Sequence, residues 1–520
     1  MTKQDRNAGW PAAAGIRRRT FMAGLAGVAG GFLLPGALTS VASAEGGPKG
    51  GRLNVGVPNA VALGPIDPQK NAGGDFAVNA TNSGPVFEAA TVQNPDATFS
   101  NLLLESIKPD DETAAVWTLK VKEGVLFHNE KAVTADDVIF SLKRLLEPGA
   151  FTAAHIGEVA SYEKLDKLTF RMVLKKPRGW LPVGLADPFS AVVPVDFDPK
   201  KPIGTGPFKI KEISLNNYVL LERFDKYHGI SAHADEVAIF GFPDPSAQLS
   251  ALLSGQIDAM SGVSASLVGE VEGNSAIKLF NSPTGTFMPI GMRTDVPPFN
   301  DVRLRQALRL VIDRQAVVNS SFNGYATLGQ DLYGPFDPNF DHSLIRERDI
   351  AKAKALVEAA GANGLEVELA MYNDVGTALV LAENAKEIGI NITVRQLDGP
   401  TYFNEALMQR TFFGGDVWPT DPILLSSALM DGPDAGYNQL RFNDPEFLAL
   451  RDQANSTLDP KILRDLVLKL QAVLFDRGGW IIPAFPNNLA LYSEKVGGVP
   501  EFDYTGKGLF GSLAKLSITR

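Results

Sequence analysis

The chain has 520 residues, with 49 Lys and Arg against 59 Asp and Glu, for a net charge of −10. It contains no cysteine, which excludes disulfides, thiolate metal sites, Cys nucleophiles and Cys-ligated iron–sulfur clusters. So acidic a chain is a poor partner for nucleic acid or an anionic membrane surface, and its length calls for two or three domains rather than one core.

The first pattern along the chain is a charged, then apolar leader. Arg17, Arg18 and Arg19 precede an apolar run from Phe21 to Leu38, and Ala42-Ser43-Ala44 is a small-x-small cleavage signal. The run is shorter than the roughly 20 residues of a spanning helix. It also carries Gly24, Gly27, Gly30, Gly31, Pro35 and Gly36, which weaken a helix. Residues 1–44 therefore read as a removable signal peptide. Arg18-Arg19-Thr20-Phe21-Met22 resembles the twin-arginine export signal, which makes that export machinery an expected partner. Cleavage after Ala44 removes Lys3, Arg6, the three arginines and Asp5, a net of +4. It leaves 476 of the 520 residues and takes the net charge from −10 to −14. The expected location is the periplasm, in soluble form and without a lipid anchor. Export of folded cargo, a general property of that route, raises the question of a cofactor loaded beforehand.

The mature part opens on RLNVGV (52–57), where Leu53, Val55 and Val57 alternate as in a half-buried strand. A Gly-, Asn- and Pro-rich stretch (58–85) reads as loop. In VWTLKVKEGVLFHNEKAVTADDVIFSLKRLL (116–146), Leu119 and Val121 alternate with lysines, Gly124 breaks the strand, and Thr134 caps a helix with Asp136 and Asp137 in its first turn. Val138, Ile139, Leu142, Leu145 and Leu146 form its apolar face. LTFRMVL (168–174) alternates again. PIGTGPFKIKE (202–212) is a turn into a strand, and ALLSGQIDAM (251–260) is helix, Gly turn and strand. Asn300 or Asp301 caps a helix carrying Leu304, Ala307, Leu308, Val311 and Ile312. Residues 349–361 form another helix closed by Gly361, and LEVELAM (365–371) and INITVRQL (390–397) are strands. Interleaved helices and strands predict an α/β fold with α+β elements and several layers.

Catalytic constellations are sparse. None of the five histidines lies in HExxH, and His228 and His233, five apart, do not share a helical face. GTGPF (204–208) lacks the GK[ST] of a phosphate loop and the third glycine of GxGxxG, so it reads as a turn. No GxSxG occurs, and SxxK recurs three times without SDN or KTG. No cofactor and no metal site are expected.

The ordered blocks carry more than any single motif. Trp117, Gly124, Phe127, His128, Thr134, Ala135, Asp137, Val138, Ser141 and Arg144, followed by PIGTGPFKI, SGQID, PPFNDVRLRQALRLVIDRQAVV (297–318) and AKALVEAAG (353–361), resemble the bacterial extracellular solute-binding proteins of family 5, the peptide/nickel class of ABC importer components. The resemblance covers essentially the whole mature chain. It implies a periplasmic-binding-protein-like fold of the class C type: two lobes, a hinge and an extra inserted domain. Domain I is discontinuous (45–82, 198–283 and 487–520), domain II is inserted (83–197), and domain III spans 284–486. It also implies a monomer with no catalytic role. Such a protein captures a small-molecule solute in an interdomain cleft and delivers it to an inner-membrane ABC permease and ATPase. His128 is then a packing residue near its turn.

In peptide-binding members the loop matching FFGGDVWPTDP (412–422) carries an acid that grips the peptide α-amine. Aligning Asp421-Pro422 on the family's Asp-Pro puts Trp418 at that place, with Asp416 two residues earlier. A tryptophan suits stacking on a sugar ring, an aromatic or a cationic face, or else packing in the hinge-side core. By region, Tyr437, Asn438, Phe287, Met288 and Arg293 are further cleft candidates, Arg293 for a ligand carboxylate. The expected solute is a short or modified peptide, or a sugar- or opine-like conjugate. Two other classes stay open: an exported hydrolase or cofactor-binding enzyme, and a sensor that passes its closed form to a receptor.

Overall fold

The computed structural model describes residues 49–58, 66–70, 81–82, 84–147, 153–214, 218–372 and 375–519. The leader (1–44) and much of the 58–85 loop lie outside the described residues. Three sheets dominate, each with its own apolar cluster.

The first is a seven-stranded mixed sheet in the order 277–282, 488–493, 259–260, 52–58, 236–242, 218–223, 208–214. The strand Arg52–Pro58 sits at its centre and pairs in parallel with both Glu236–Phe242 and Ala259–Met260. Leu53 and Val55 are fully buried there. A central strand needs both its edges paired and its apolar face covered, and the chain meets this demand from far away. Asn488–Ser493 returns to lie between Ala259–Met260 and Ile277–Ser282. The sheet thus draws on the beginning, middle and end of the sequence.

The second is a four-stranded antiparallel sheet in the order 104–109, 116–121, 169–174, 159–164. Trp117, Leu119 and Val121 are buried and alternate with half-buried neighbours, as the sequence pattern requires. Thr134 caps the helix Ala135–Arg144 in a capping box: its backbone N–H and hydroxyl both donate to Asp137 Oδ2, at 2.9 and 2.7 Å. Val138 and Leu142 face the core. The expected helical face is corrected at its end, because the helix stops at Arg144 and Leu146 is 44 % exposed. Arg144 turns inward to Gln69 Oε1 and Asp67 Oδ2, both at 2.6 Å. His128 joins two of the sequence blocks: Nε2 lies 3.0 Å from Gly206 O, Nδ1 accepts Gly204 N–H at 3.3 Å, and Phe224 meets the ring edge-on. Burial lowers its pKa to about 4, so it is a neutral packing residue.

The third is a five-stranded sheet in the order 390–396, 365–371, 412–414, 290–292, 480–481. The first two pair in parallel and are bridged by the helix Val375–Lys386, a βαβ unit. Asp301, not Asn300, caps the helix Val302–Val311 by accepting the Arg303 N–H. Gly361 follows the helix Ile350–Ala359 at φ +68°, the left-handed conformation that ends a helix at small cost for glycine. Among the described residues, no helix is long and apolar enough to cross a membrane.

Candidate functional site

The three sheets meet along one seam. Gln93, at the end of a strand beside the four-stranded sheet, donates to Thr420 O at 3.1 Å, and Lys507 Nζ donates to Gln93 O at 3.2 Å. Trp180 Nε1 and Gly179 N–H both reach Asn455, at 2.7 Å. Phe336 and Tyr504 stack with centroids 4.5 Å apart. Segments distant in sequence therefore touch side by side along this seam.

The strand Phe412–Gly414 delivers the informative loop to this seam. Beyond it, Phe287 and Trp418 exchange two backbone hydrogen bonds of 3.1 and 3.0 Å. That bridge fixes the Trp418 ring inside an apolar cluster, where it is 6 % exposed and edge-on to Tyr437 at 6.1 Å. The indole N–H has no hydrogen-bond partner among the described residues. Phe287 is buried too, stacked on Tyr333 and edge-on to Phe485.

Asp416 and Met288 come together at the edge of the five-stranded sheet. They line a cavity of about 20 Å³ with Met371, Tyr372, Tyr402 and Phe403, room for one water-sized group. Tyr372 and Tyr402 stack at 5.8 Å, and Phe403 meets both edge-on at 5.5 Å. The Asp416 carboxylate accepts the Val417 N–H at 2.9 Å and has no cationic partner among the described residues. Burial pushes its pKa up. The Tyr402 hydroxyl is likewise buried with no partner among the described residues. Tyr437 is half-buried, and burial first, then the Asp416 charge, raises its pKa. An aromatic corner with an uncompensated carboxylate is chemically suited to a cationic group.

Asp421 lies two residues before the helix Ile423–Met430, at the seam itself, and burial raises its pKa to about 6. Two candidates are not brought into this group. The Asn438 amide donates to Gly432 O and Phe442 O and accepts the Phe442 N–H, all at 2.8 Å, so both its N–H groups hold its own loop. Arg293 lies past the far end of the strand Ile290–Met292 from Met288, forked onto Asp295 at 2.9 and 2.7 Å. Tyr372, Tyr402 and Phe403 escaped the sequence reading, since an aromatic at a strand end and a Tyr-Phe pair carry no motif. Lys507, His155 and Asp187, near Asp421, gave no signal either. Among the described residues, no group of three His, Asp or Glu is placed to hold a metal.

The mixed α/β fold of several sheets, with loops gathered at strand ends, is of the periplasmic-binding-protein type. Residues 98–429 match the Bacterial extracellular solute-binding proteins, family 5 Middle, and the chain belongs to that family. It is a solute-binding component of an ABC importer, with a permease and ATPase as partners, and not an enzyme. It is 24 % identical over 455 residues to Heme-binding protein A of Haemophilus influenzae, covering 79 % of this chain and 83 % of the relative. Two solved structures share the fold. The periplasmic binding protein DppA of Helicobacter pylori, in complex with peptide STSA, superposes with a TM-score of 0.77 at 20 % identity, over 91 % of this chain and 99 % of that one. AgaA of A. tumefaciens R10, in complex with agropinic acid, gives 0.77 at 22 % identity, over 90 % and 99 %.

Proposed function

We propose that the chain is a periplasmic receptor that closes over a small organic solute bearing a cationic group and hands it to an inner-membrane permease. In this reading residues 1–44 direct export by the twin-arginine route and are removed. Domain I (45–82, 198–283, 487–520), the inserted domain II (83–197) and domain III (284–486) move about the hinge where the chain passes near 283 and 487. One observation carries the reading of the solute: Asp416, desolvated and without a cation among the described residues, sits against three aromatic rings. An ammonium there restores the charged carboxylate and gains the ring faces. The cavity admits a head group only, so the rest of the solute lies along the seam. A short or modified peptide, or a sugar- or opine-like conjugate that keeps a basic amine, fits this description, and a structural neighbour holds a peptide.

Native mass spectrometry of the protein from its own periplasm, before and after mild denaturation, tests this. A released solute of defined mass is expected. The Asp416→Asn protein should emerge empty and bind the recovered solute roughly 30-fold more weakly or worse, as for loss of one partner of a desolvated pair. A wild-type protein that holds no solute here, and none in a thermal-shift panel, would sink the reading. A recovered solute lacking any cationic group would remove Asp416 from it.

A further inference from the structure

Gly179 and Trp180 lie on the turn between the strand Thr169–Leu174 and the helix Leu181–Gly184, and they reach out of their own domain. Leu181 and Leu185 belong to the apolar cluster of the four-stranded sheet, with Trp117 and Leu119. Trp180, one residue earlier, belongs instead to a cluster of domain III, with Leu424, Phe447 and Ala454, and is 7 % exposed. Ala154 and Val183 pack on that same cluster. The polar part of the contact falls on one helix end. The Asn455 carbonyl lies in the last turn of the helix Pro445–Ser456, where the helix itself has no N–H left to offer it. Gly179 N–H donates to this carbonyl at 2.7 Å, and the Trp180 indole N–H donates to the Asn455 side-chain oxygen, also at 2.7 Å. The backbones meet without clearance: a Cβ on Gly179 would lie 2.3 Å from Thr457 O. The Arg178 guanidinium lies over the Trp180 ring, 4.4 Å from its centroid.

We propose that Gly179 and Trp180 form a latch that docks domain II into domain III and holds the receptor closed in the absence of solute. The inference rests on the receptor reading above and adds the contact that sets its resting state. The chain runs from domain II (83–197) through domain I (198–283) before it reaches domain III (284–486), so no stretch of chain joins domains II and III directly. Their contact forms when the hinge near 283 and 487 brings them together and breaks when the hinge swings open. Burial of the Trp180 ring favours the docked form. Opening returns Gly179 N–H, the indole N–H and both Asn455 oxygens to water, so it strands no buried polar group. The latch is therefore reversible, where a contact that left such groups unpaired on opening would be a fixture of the fold. A solute that binds the closed form meets it already populated, and its apparent affinity scales with the latched fraction.

The chain has no cysteine, so two introduced cysteines carry spin labels at unique positions. Ser161→Cys, on the edge of the four-stranded sheet, and Glu358→Cys, on the helix Ile350–Ala359, are both exposed. Double electron–electron resonance on the labelled mature protein, unfolded and refolded to free it of solute, reads closed and open forms as short and long separations. The short separation should dominate in the otherwise wild-type protein. Gly179→Ala puts a methyl group against Thr457 O while removing no side chain, and it should convert the distribution to the long separation. Trp180→Phe keeps a ring and loses the indole N–H, and it should lower the closed-to-open ratio roughly tenfold. It also keeps the test decisive if the Gly179→Ala protein does not fold. A solute-free wild type without the short separation would overturn the proposal, as would a Trp180→Phe protein with the wild-type ratio. A Gly179→Ala protein that melts lower yet keeps the short separation would make the turn a structural weld and overturn it too. The receptor reading stands or falls separately, on the solute released from the wild type.

Discussion

Asp421 and Asp416 are separated by five positions and titrate for one reason, loss of water around a carboxylate. For Asp421 the folded pKa of about 6 stands above its usual 3.8. A raised acid binds its proton more tightly folded than unfolded. Its stabilising contribution is therefore complete below pH 3.8 and is lost as pH rises through 6. Asp421→Asn removes that loss. The ligand-free variant should match the wild type at pH 4 and exceed it at pH 8, by up to about 3 kcal/mol. Urea unfolding at the two pH values reads the difference, and equal gains at both would mean the side chain is not titrating in this window. Asn438 teaches the opposite lesson at the same scale. A polar residue in a suspected cleft region can be spent wholly on its own loop, which only its hydrogen bonds reveal.

At the scale of elements, local signals carried far. Alternation placed Leu119 and Val121 on a buried face, and Thr134 with Asp137 marked where the next helix begins. The cap does more than end a helix, because Asp137 Oδ1 also accepts the Val195 N–H at 3.1 Å and so ties the helix to a segment 58 residues away. Asp137→Ala should therefore cost more than an ordinary cap, about 2–3 kcal/mol rather than about 1. Denaturant unfolding of Asp137→Ala beside Thr134→Ala checks this, and equal losses would confine the role of Asp137 to the helix. Leu146 misled the reading because helical periodicity continues in the sequence after the backbone has left the helix at Arg144. In the GTGPF stretch a Cβ on Gly204 would lie 2.0 Å from the Val86 carbonyl oxygen, so glycine is required there for close backbone packing.

At the scale of the whole molecule, the seam decides how the lobes sit. Tyr504 stacks on Phe336 across it, with Phe502 behind at 4.9 Å, and this is an apolar contact that opening would expose. Tyr504→Ala should shift the ligand-free population toward an open form, seen as a larger radius of gyration in solution scattering. It should also weaken solute affinity in proportion to the lost closed fraction. An unchanged radius with unchanged affinity would make the stack incidental. The ordered blocks from residue 117 to 361 were sufficient to place the chain in its family, because each is a local solution to a local demand: a cap, a turn, an alternating face. The site was legible only as a loop of interest. Asp416, Met288 and the aromatic corner assemble from three strand ends, and Lys507 reaches Gln93 across 414 positions. The sequence by itself determined the elements, their faces and the family, since helix caps and apolar periodicity act within a few residues. Tertiary structure alone decided which side chains lose their water, which keep a free donor and which are used up in their own loops, because desolvation and pairing depend on neighbours that the chain brings together only when the three sheets close on one another.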